Sequence, residues 1–558
     1  MQLTAKLTNI KNSTLFYAAL GLMLASIPLS RFAMSVSQFT LLGLWFWYKT
    51  DRSYLGSYTP FSLLSPFILF RFIGQSLIRI YDAFILKLKL FFSNKAAIVM
   101  ASLYLLHIIG LLHTSDFAYA LKDLRVKIPL LIAPLLLSTG PKPDAVIRKI
   151  LLSVFIAAVF VGTLISAYLL FYCNVSDPRE ISVFISHIRF SLSISLSVFI
   201  LGYFIISREF ETTWIKVIFA LLILWYIMFL VLMESITGMM ISGIILLILL
   251  FNQILQQKHI FSKLLLTGFI CIIPLAGFLY VRQLAREYSY AKPIDLQMLN
   301  KCTISGNYYI HDTIHYGIEN GQYIGLYVAL PELRDAWNRR SSYSFDGKDK
   351  HGQQISTTII RFLNSKGYRK DKEGVMHLSK DEVHFIEDGV ANAEYLKKIS
   401  IKSIVYQFIL GYNNYRDKGN PNASSAMQRV EFWKTSLLLI RHHWLVGVGT
   451  GDLPDAFKLQ YEQMNSPLEK INRWRSHNQY LSIFIAFGIF GFLWFIFTLL
   501  YPAIITKRYK NYYYAIFWLI AVLSMLAEDT LETQDGVTFF AFFNAFLLFS
   551  GEEEQEKE

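Results

Sequence analysis

Residues 473–497, RWRSHNQYLSIFIAFGIFGFLWFIF, join a polar segment to an apolar one. The polar part contains Arg473, Arg475, His477 and Asn478, whereas the part from Leu481 onward has no charged side chain. A helix that crosses a bilayer needs about 20 predominantly apolar residues. The stretch therefore predicts a membrane helix. Its polar beginning is either the start of that helix at the membrane surface or a reaction centre, and these residues alone leave both open.

The composition of the whole chain agrees with a membrane protein. Its 558 residues are 54% hydrophobic and 16% aromatic, and the mean hydropathy is +0.40. Soluble globular chains of this length are rarely so hydrophobic. The net charge of +13 is explained by lysine and arginine that hold loops on the cytoplasmic side. The sequence shows no nucleic-acid-binding motif, so we expect no nucleic-acid partner.

Hydropathy predicts an all-α polytopic protein with about twelve transmembrane helices. The predicted spans are 13–30, 34–49, 96–113, 126–139, 148–171, 185–206, 214–233, 236–252, 262–281, 480–501, 512–527 and 536–550. Basic loops then lie on one face if the N-terminus is cytoplasmic, which agrees with the positive-inside rule. Both termini are expected in the cytoplasm. Segment 54–95 is predicted to be a cytoplasmic interfacial helix with Lys87 and Lys89 directed toward lipid headgroups.

This topology predicts four regions along the chain. They are an N-terminal membrane region of about nine helices (1–281), a large outer, periplasmic-type loop (282–476), a C-terminal membrane region of three helices (477–550) and a disordered acidic tail (551–558). The outer loop contains a polar subdomain over 285–425 and an amphipathic helix over 426–445. Within the subdomain, residues 321–330 read as strand, and Ser379 with Glu382 predicts a capped helix.

Several basic residues lie at the predicted outer helix ends. Arg189 lies in the first two turns of the sixth span, and Arg125 and Lys127 lie at the start of the fourth. The positive-inside rule disfavours cations on this side, so an anion site is one interpretation. A side chain that extends to the interface, or a solvated turn, is the alternative.

Two further motifs lie in the same loop. Arg429 comes near the start of the amphipathic helix, where free backbone N–H groups and a guanidinium suit a phosphate. The glycine-rich GVGTGD, residues 447–452, follows that helix and is predicted to be a helix stop with a tight turn, because a dinucleotide site needs the order strand, turn, helix.

His477 is the candidate base. A histidine whose pKa is near neutrality can accept a proton from a sugar hydroxyl, and arginines can hold a pyrophosphate leaving group without a metal. The acidic run AEDTLETQDG, residues 527–536, could hold a divalent cation, but a solvated acidic turn is the preferred interpretation.

The segment from QRVEFWKTSLLLIRHHWLVGVGTGDLPDAF, residues 428–457, to SHNQYLSIFIAFGIFGFLWF, residues 476–495, resembles the signature region of the O-antigen ligase superfamily, to which Wzy-type polymerases are related. The features shared are an arginine and a tryptophan on one helix, a Gly-x-Gly turn, and His-Asn-x-Tyr-Leu leading into a glycine-containing helix. Residues 339–375 are similar to an extended loop of members from Bacteroides-like bacteria.

The resemblance implies a GT-C-type glycosyltransferase of the Gram-negative inner membrane with its active site at the periplasmic face. Such enzymes move a glycan from undecaprenyl pyrophosphate to an acceptor, lipid A-core in the ligases, by inverting transfer without metal or cofactor. The resemblance also implies that His477 activates the acceptor hydroxyl and that Arg189 and Arg429 hold the pyrophosphate. Asn478 belongs to the same motif. Arg125 and Lys127 as substrate contacts are our inference from the sequence.

Three alternatives stay open at this stage. A polysaccharide polymerase and a protein O-oligosaccharyltransferase use the same chemistry, and the signature describes the donor site rather than the acceptor. A transporter of lipid-linked glycans is disfavoured, because transporters place ionisable groups in the middle of the membrane. A disulfide between Cys173 and Cys302 is also left open.

Overall fold

The structure is a computed structural model that describes residues 2–48, 66–173, 178–207, 210–397 and 400–551. It is mostly helical, with 73% of residues in helices. The α-helices within the described ranges are α1 (Gln2–Leu29), α2 (Arg31–Trp47), α3 (Pro66–Ser93), α4 (Lys95–Ile109), α5 (Phe117–Lys127), α6 (Pro129–Thr139), α7 (Ala145–Tyr172), α8 (His187–Ile206), α9 (Thr213–Leu232), α10 (Ile236–Gln256), α11 (Ile260–Ser289), α12 (Leu330–Asn338), α13 (Ile355–Ser365), α14 (Lys372–Met376), α15 (Lys380–Glu387), α16 (Ile401–Lys418), α17 (Ser425–His443), α18 (Leu453–Gln463), α19 (Gln479–Ile505), α20 (Tyr512–Ser524) and α21 (Gln534–Phe549). The strands are β1 (Ile310–Asp312), β2 (Ile318–Glu319), β3 (Gln322–Tyr323) and β4 (Gly325–Val328).

Apolar helices make this a multi-pass membrane protein. Seven helical segments in the described chain are long and apolar enough to cross a bilayer, namely Lys95–His113, α7, α8, α9, α10, α11 and α19. Three shorter apolar segments, Ser13–Leu29, α20 and α21, are below that length. Each of the twelve predicted spans coincides with a helix. The all-α polytopic class is supported, and the count of twelve stays a prediction.

The chain forms two compact units, Met1–Leu249 with Gln428–Glu558, and Leu250–Met427. We call them the membrane unit and the insert unit. These two units reflect how the helices pack. The four predicted regions were instead defined by the side of the membrane on which they lie, so the boundaries of those regions stay predictions. Cys173 and Cys302 are both exposed, free thiols. The predicted tail lies outside the described residues from 552 onward.

Helix α21 is the centre of the membrane unit. Every residue from Asp535 to Phe549 is buried, and the helix packs against α6 and α20. Its phenylalanines join the large apolar core that also includes α1, α7 and α8. Because α21 is enclosed by other helices, the loop that leads into it, residues 525–533, is held at one end of the unit.

The predicted interfacial helix is α3, and one of its lysines is placed differently. Residues 54–65 of that prediction lie outside the described residues. Lys87 is fully buried and donates hydrogen bonds to the carbonyl oxygens of Trp45 and Phe46 at the end of α2. The prediction that Lys87 faces headgroups is therefore wrong, because the terminal carbonyls of a helix attract a cation. Lys89 is exposed.

The insert unit combines short helices with two small antiparallel pairings. Strands β2 and β3 form a hairpin whose turn is Asn320–Gly321, both with positive φ, as a tight type I′ turn requires. Strand β1 pairs with β4. The core contains Trp337, Phe345 and Phe362. The predicted cap is confirmed, since Ser379 and Glu382 form a reciprocal capping box at the start of α15.

Candidate functional site

The acidic loop between α20 and α21 is buried and paired with cations. Glu528 is 7% exposed, Asp529 8% and Asp535 3%, and the side chain of Glu532 is 6% exposed. The interpretation as a solvated acidic turn is therefore wrong. Buried carboxylates require partners. Basic side chains distant in sequence pair with Glu528, Glu532 and Asp535, whereas Asp529 accepts from N–H and O–H groups. Among the described residues, no group of three His, Cys, Asp or Glu side chains is placed to hold a metal ion.

Asp529 fixes the start of α19. Its carboxylate accepts hydrogen bonds from the backbone N–H groups of His477 (3.1 Å) and Asn478 (3.2 Å). It also accepts from the hydroxyls of Ser476 (3.2 Å) and Ser482 (2.7 Å). One carboxylate therefore binds the chain on both sides of His477, which sets the position of its side chain.

His477 adopts a backbone conformation that is uncommon for its residue type. Its φ is +46°, in the left-handed region that non-glycine residues seldom occupy. Asn478 follows as the N-cap of α19 and accepts from the N–H of Leu481 at 3.1 Å, while its amide donates to the carbonyl of Leu526 at 2.9 Å. Strained residues of this kind occur at functional sites when surrounding contacts hold them.

Glu528 lies between His477 and Arg429. One of its oxygens is 3.5 Å from Nδ1 of His477, an ion-pair distance longer than a good hydrogen bond, and the other is 3.2 Å from a terminal nitrogen of Arg429. Burial acts to raise the pKa of Glu528, but contact with His477 and the charges of Arg189 and Arg429 outweigh it, so that the pKa is below its usual value. Glu528 is therefore held as a carboxylate.

Helix α17 supplies the other wall of the site. The ring of Phe432 stacks on the imidazole of His477, with centroids 5.5 Å apart. Phe432 is buried, whereas Trp433 and Leu437 are exposed. The predicted helix over 426–445 is confirmed, but the apolar stripe of Trp433 and Leu437 faces away from the protein. The side chain of His477 remains 35% exposed, so its ring is accessible to a substrate.

Arg189 comes from the first turn of α8 and is 5% exposed. One terminal nitrogen donates to the backbone carbonyl of Asp529 at 3.1 Å. Its other two nitrogens are buried and have no hydrogen-bond partner within the described chain. A Cβ at Gly536 would lie 2.9 Å from Nε of Arg189, so the glycine leaves room for the guanidinium. Unsatisfied buried donors of this charge suit an anionic ligand.

A second ionic group lies around Glu532. The ammonium of Lys127 contacts Asp123 (2.7 Å) and Glu532 (3.0 Å), and Arg475 contacts the same oxygen of Glu532 at 3.0 Å. Burial acts to raise the pKa of Glu532, but the positive charges of Lys127 and Arg475 outweigh it and lower that pKa. Lys127 therefore forms ion pairs with two carboxylates of the protein. Arg125, by contrast, is exposed to solvent.

Arg473 and Arg475, which begin the opening stretch, both bind groups of the protein itself. Arg473 donates to the carbonyl of Leu468 at 3.0 Å, and Arg475 pairs with Glu532 as described. These contacts orient the segment that leads to His477.

The GVGTGD turn joins α17 to a break in α19. Gly447 and Gly449 have φ of +83° and +94°, which confirms the predicted helix stop and tight turn. The N–H groups of Val448 and Gly449 donate to the carbonyls of Ile485 and Ala486, both at 2.9 Å. These acceptors are free because α19 is non-helical at Gly488. The turn therefore satisfies backbone groups that a broken membrane helix would otherwise leave unpaired.

The structure brings Arg189, Arg429, His477 and Asn478 to one loop, and the sequence had not indicated what holds them. Glu528, Asp529, Glu532 and Phe432 were missed as site residues. The available signal was the number of cations predicted on the outer side, since buried or semi-buried cations in an apolar protein require carboxylates nearby.

Comparison with known proteins bears on this region. Residues 392–496 match the model of the family described as O-Antigen ligase. The match includes α17, the glycine turn and His477. No curated protein matches the chain. The family implies an enzyme that transfers glycosyl groups in O-antigen or polysaccharide processing, with a lipid-linked glycan donor and a glycan acceptor. The predicted resemblance to the O-antigen ligase superfamily is thus confirmed over residues 392–496.

Proposed function

We propose that this protein transfers a glycan from undecaprenyl pyrophosphate to an acceptor, most simply lipid A-core, at the periplasmic face of the inner membrane. The observation that carries the proposal is the contact of Glu528 with both His477 and Arg429. It unites a candidate base and a candidate anion-binding group in one buried arrangement.

In this mechanism His477 acts as the general base. Glu528 faces Nδ1, which favours the tautomer with the proton on that nitrogen and leaves Nε2 as the acceptor. Nε2 takes the proton of the acceptor hydroxyl as its oxygen attacks the anomeric carbon. The bond from that carbon to the pyrophosphate oxygen breaks, the leaving group departs with the electron pair, and the configuration is inverted.

Arg189 and Arg429 neutralise the departing pyrophosphate. Within the described residues, two nitrogens of Arg189 have no hydrogen-bond partner, and Arg429 pairs with one carboxylate oxygen while its side chain is 32% exposed. Preorganised cations of this kind can stabilise the developing negative charge, so the proposed reaction proceeds without a metal. Arg125 and Asn478 are proposed contacts at the edge of the substrate site. Lys127 is proposed to act indirectly, by holding the Glu532 end of the loop.

The decisive experiment is deletion of the gene followed by analysis of surface glycans. Ligase function predicts rough lipopolysaccharide and accumulated lipid-linked O-antigen. Core carrying a single repeat would instead indicate a polymerase. Normal lipopolysaccharide with unglycosylated proteins would indicate a protein oligosaccharyltransferase. Unchanged glycans on both lipid and protein would contradict glycosyl transfer altogether.

A further inference from the structure

The insert unit contains an open cleft that none of the proposed catalytic residues lines. Its volume is about 1120 Å³. The cleft lies between the end of α11, the β2–β3 hairpin, strand β4 and residues 367–370. Ligand pockets commonly measure roughly 300–1,000 Å³, so this one has room for several sugar rings.

The charged residues of the cleft are predominantly basic. Arg286, Lys292, Arg369 and Lys370 line it, together with one carboxylate, Glu287. That carboxylate is already paired with the ammonium of Lys402. In the part of the chain that the structure describes, none of the four basic residues forms an ion pair. The cleft therefore presents an excess of positive charge.

Lys370 is the most unusual of these cations because it is only 3% exposed. Its ammonium donates to the side-chain oxygen of Asn364 at 2.8 Å. Burial lowers the pKa of Lys370 to about 8. A buried ammonium has three donors, and no described carboxylate pairs with this one. Such an arrangement is costly, and an anionic ligand in the cleft would reduce that cost.

Tyrosines provide the remaining wall. Tyr290 is 66% exposed, and Tyr323, Tyr327 and Tyr368 also line the cleft. Tyr327 has a φ of +54°, a strained conformation that its surroundings maintain. The guanidinium of Arg369 lies 4.6 Å from the centre of its ring. Aromatic faces pack against the C–H faces of sugar rings, while their hydroxyls bind polar groups.

We propose that this cleft binds an acidic glycan, an oligosaccharide carrying carboxylate or phosphate groups. Tyrosine faces contact the sugar rings, and Arg286, Arg369 and Lys370 bind the anionic substituents. The assignment of that glycan as donor or acceptor rests on the proposed function, whereas the binding itself does not.

The test uses the full-length protein in detergent and isothermal titration calorimetry. The probes are tetragalacturonate, as an acidic oligosaccharide, and maltotetraose, as a neutral one of the same length. Charge-assisted hydrogen bonds distinguish the two, so we expect tetragalacturonate to bind at least about tenfold more tightly. Arg286→Gln and Arg369→Gln should each weaken its binding about tenfold. Lys348→Gln removes an exposed cation outside the cleft and should have no effect.

Equal affinity for the two probes, or wild-type binding by both arginine variants, would overturn the proposal. Arg286 is exposed and unpaired in the described structure, so its variant is not expected to disturb folding. His477→Ala should retain probe binding even though it loses transfer, which separates a failure of this proposal from a failure of the proposed function. Displacement of the probe by purified core oligosaccharide would show that the cleft binds the acceptor. Displacement by released donor glycan would show that it binds the donor. Displacement by neither would contradict a role in substrate binding.

Discussion

The carboxylate of Asp529 accepts a hydrogen bond from the backbone N–H of His477 at 3.1 Å. The two residues are 52 positions apart in the sequence. This contact connects the loop before α21 to the start of α19, and it holds His477 in its left-handed conformation. The position of the proposed base is therefore set by a residue outside the family match, which ends at residue 496.

Asp529→Asn should destabilise the protein and reduce transfer. The amide would replace one accepting oxygen with a donor that faces N–H and O–H groups, and leaving buried groups unsatisfied costs about 1–3 kcal/mol. Thermal unfolding in detergent measures the loss of stability, and a transfer assay on the folded fraction measures the loss of activity. If both are unchanged, Asp529 does not position His477.

His477→Ala should lower the transfer rate by about 10²-fold or more, the usual contribution of a general base. Glu528→Gln should have a smaller effect and alter the pH profile of transfer, because Glu528 acts through His477. His113→Ala, at an exposed histidine of the same unit, is the control and should be fully active. Full activity of His477→Ala would contradict the mechanism.

Arg429→Ala should abolish transfer, and Arg429→Lys should restore only part of it, because an ammonium lacks the planar fork that binds phosphate oxygens. Arg441→Gln is the matched control, since this arginine is exposed on the same helix. Transfer is measured with the lipid-linked donor. Equal loss in Arg429→Ala and Arg441→Gln would indicate a general effect of charge on α17 instead of a pyrophosphate site.

Lys127→Met should cost about 3–5 kcal/mol, because it leaves Asp123 and Glu532 buried with one cation fewer. Adding Asp123→Asn should recover part of that loss, since the unpaired charge is removed. The free energy of unfolding of both variants checks this. A double variant no more stable than Lys127→Met would show that the ion pair between Lys127 and Asp123 is not the source of the effect.

The stability of the folded protein should fall in acid, partly because the carboxylate of Glu528 becomes protonated. Its pKa in the folded protein is below the ordinary value of 4.5, so its stabilisation is fully present above about pH 4.5 and is lost as the pH falls through the lowered value. The thermal midpoint measured from pH 7 to pH 3 should decline less steeply in Glu528→Gln. The pKa of Glu532 is lowered as well, so some decline should remain. Identical slopes would exclude Glu528 as a contributor.

Local chemistry made much of the fold predictable. Long apolar runs must be helical in a bilayer because no water is present to satisfy backbone groups, and each predicted span coincides with a helix. The capping box at Ser379 and the turn at Gly447–Gly449 depend on neighbouring residues, so their sequence patterns were sufficient. Lys87 shows what local sequence does not predict. Its neighbours in sequence suit a contact with lipid headgroups, but its ammonium binds the carbonyl oxygens at the end of α2 instead.

The sequence by itself determined which segments are apolar helices, where α19 begins, and that His477, Arg189 and Arg429 are candidates for chemistry. Only the tertiary structure decided that Glu528 pairs with His477 and Arg429, that Asp529 binds the start of α19, and that Lys127 forms ion pairs with Asp123 and Glu532. Hydropathy and helix signals act over a few turns of chain, whereas these ion pairs join residues up to 405 positions apart. Their distances follow from how α5, α8, α17 and α19 pack around the loop before α21, which no spacing along the chain encodes.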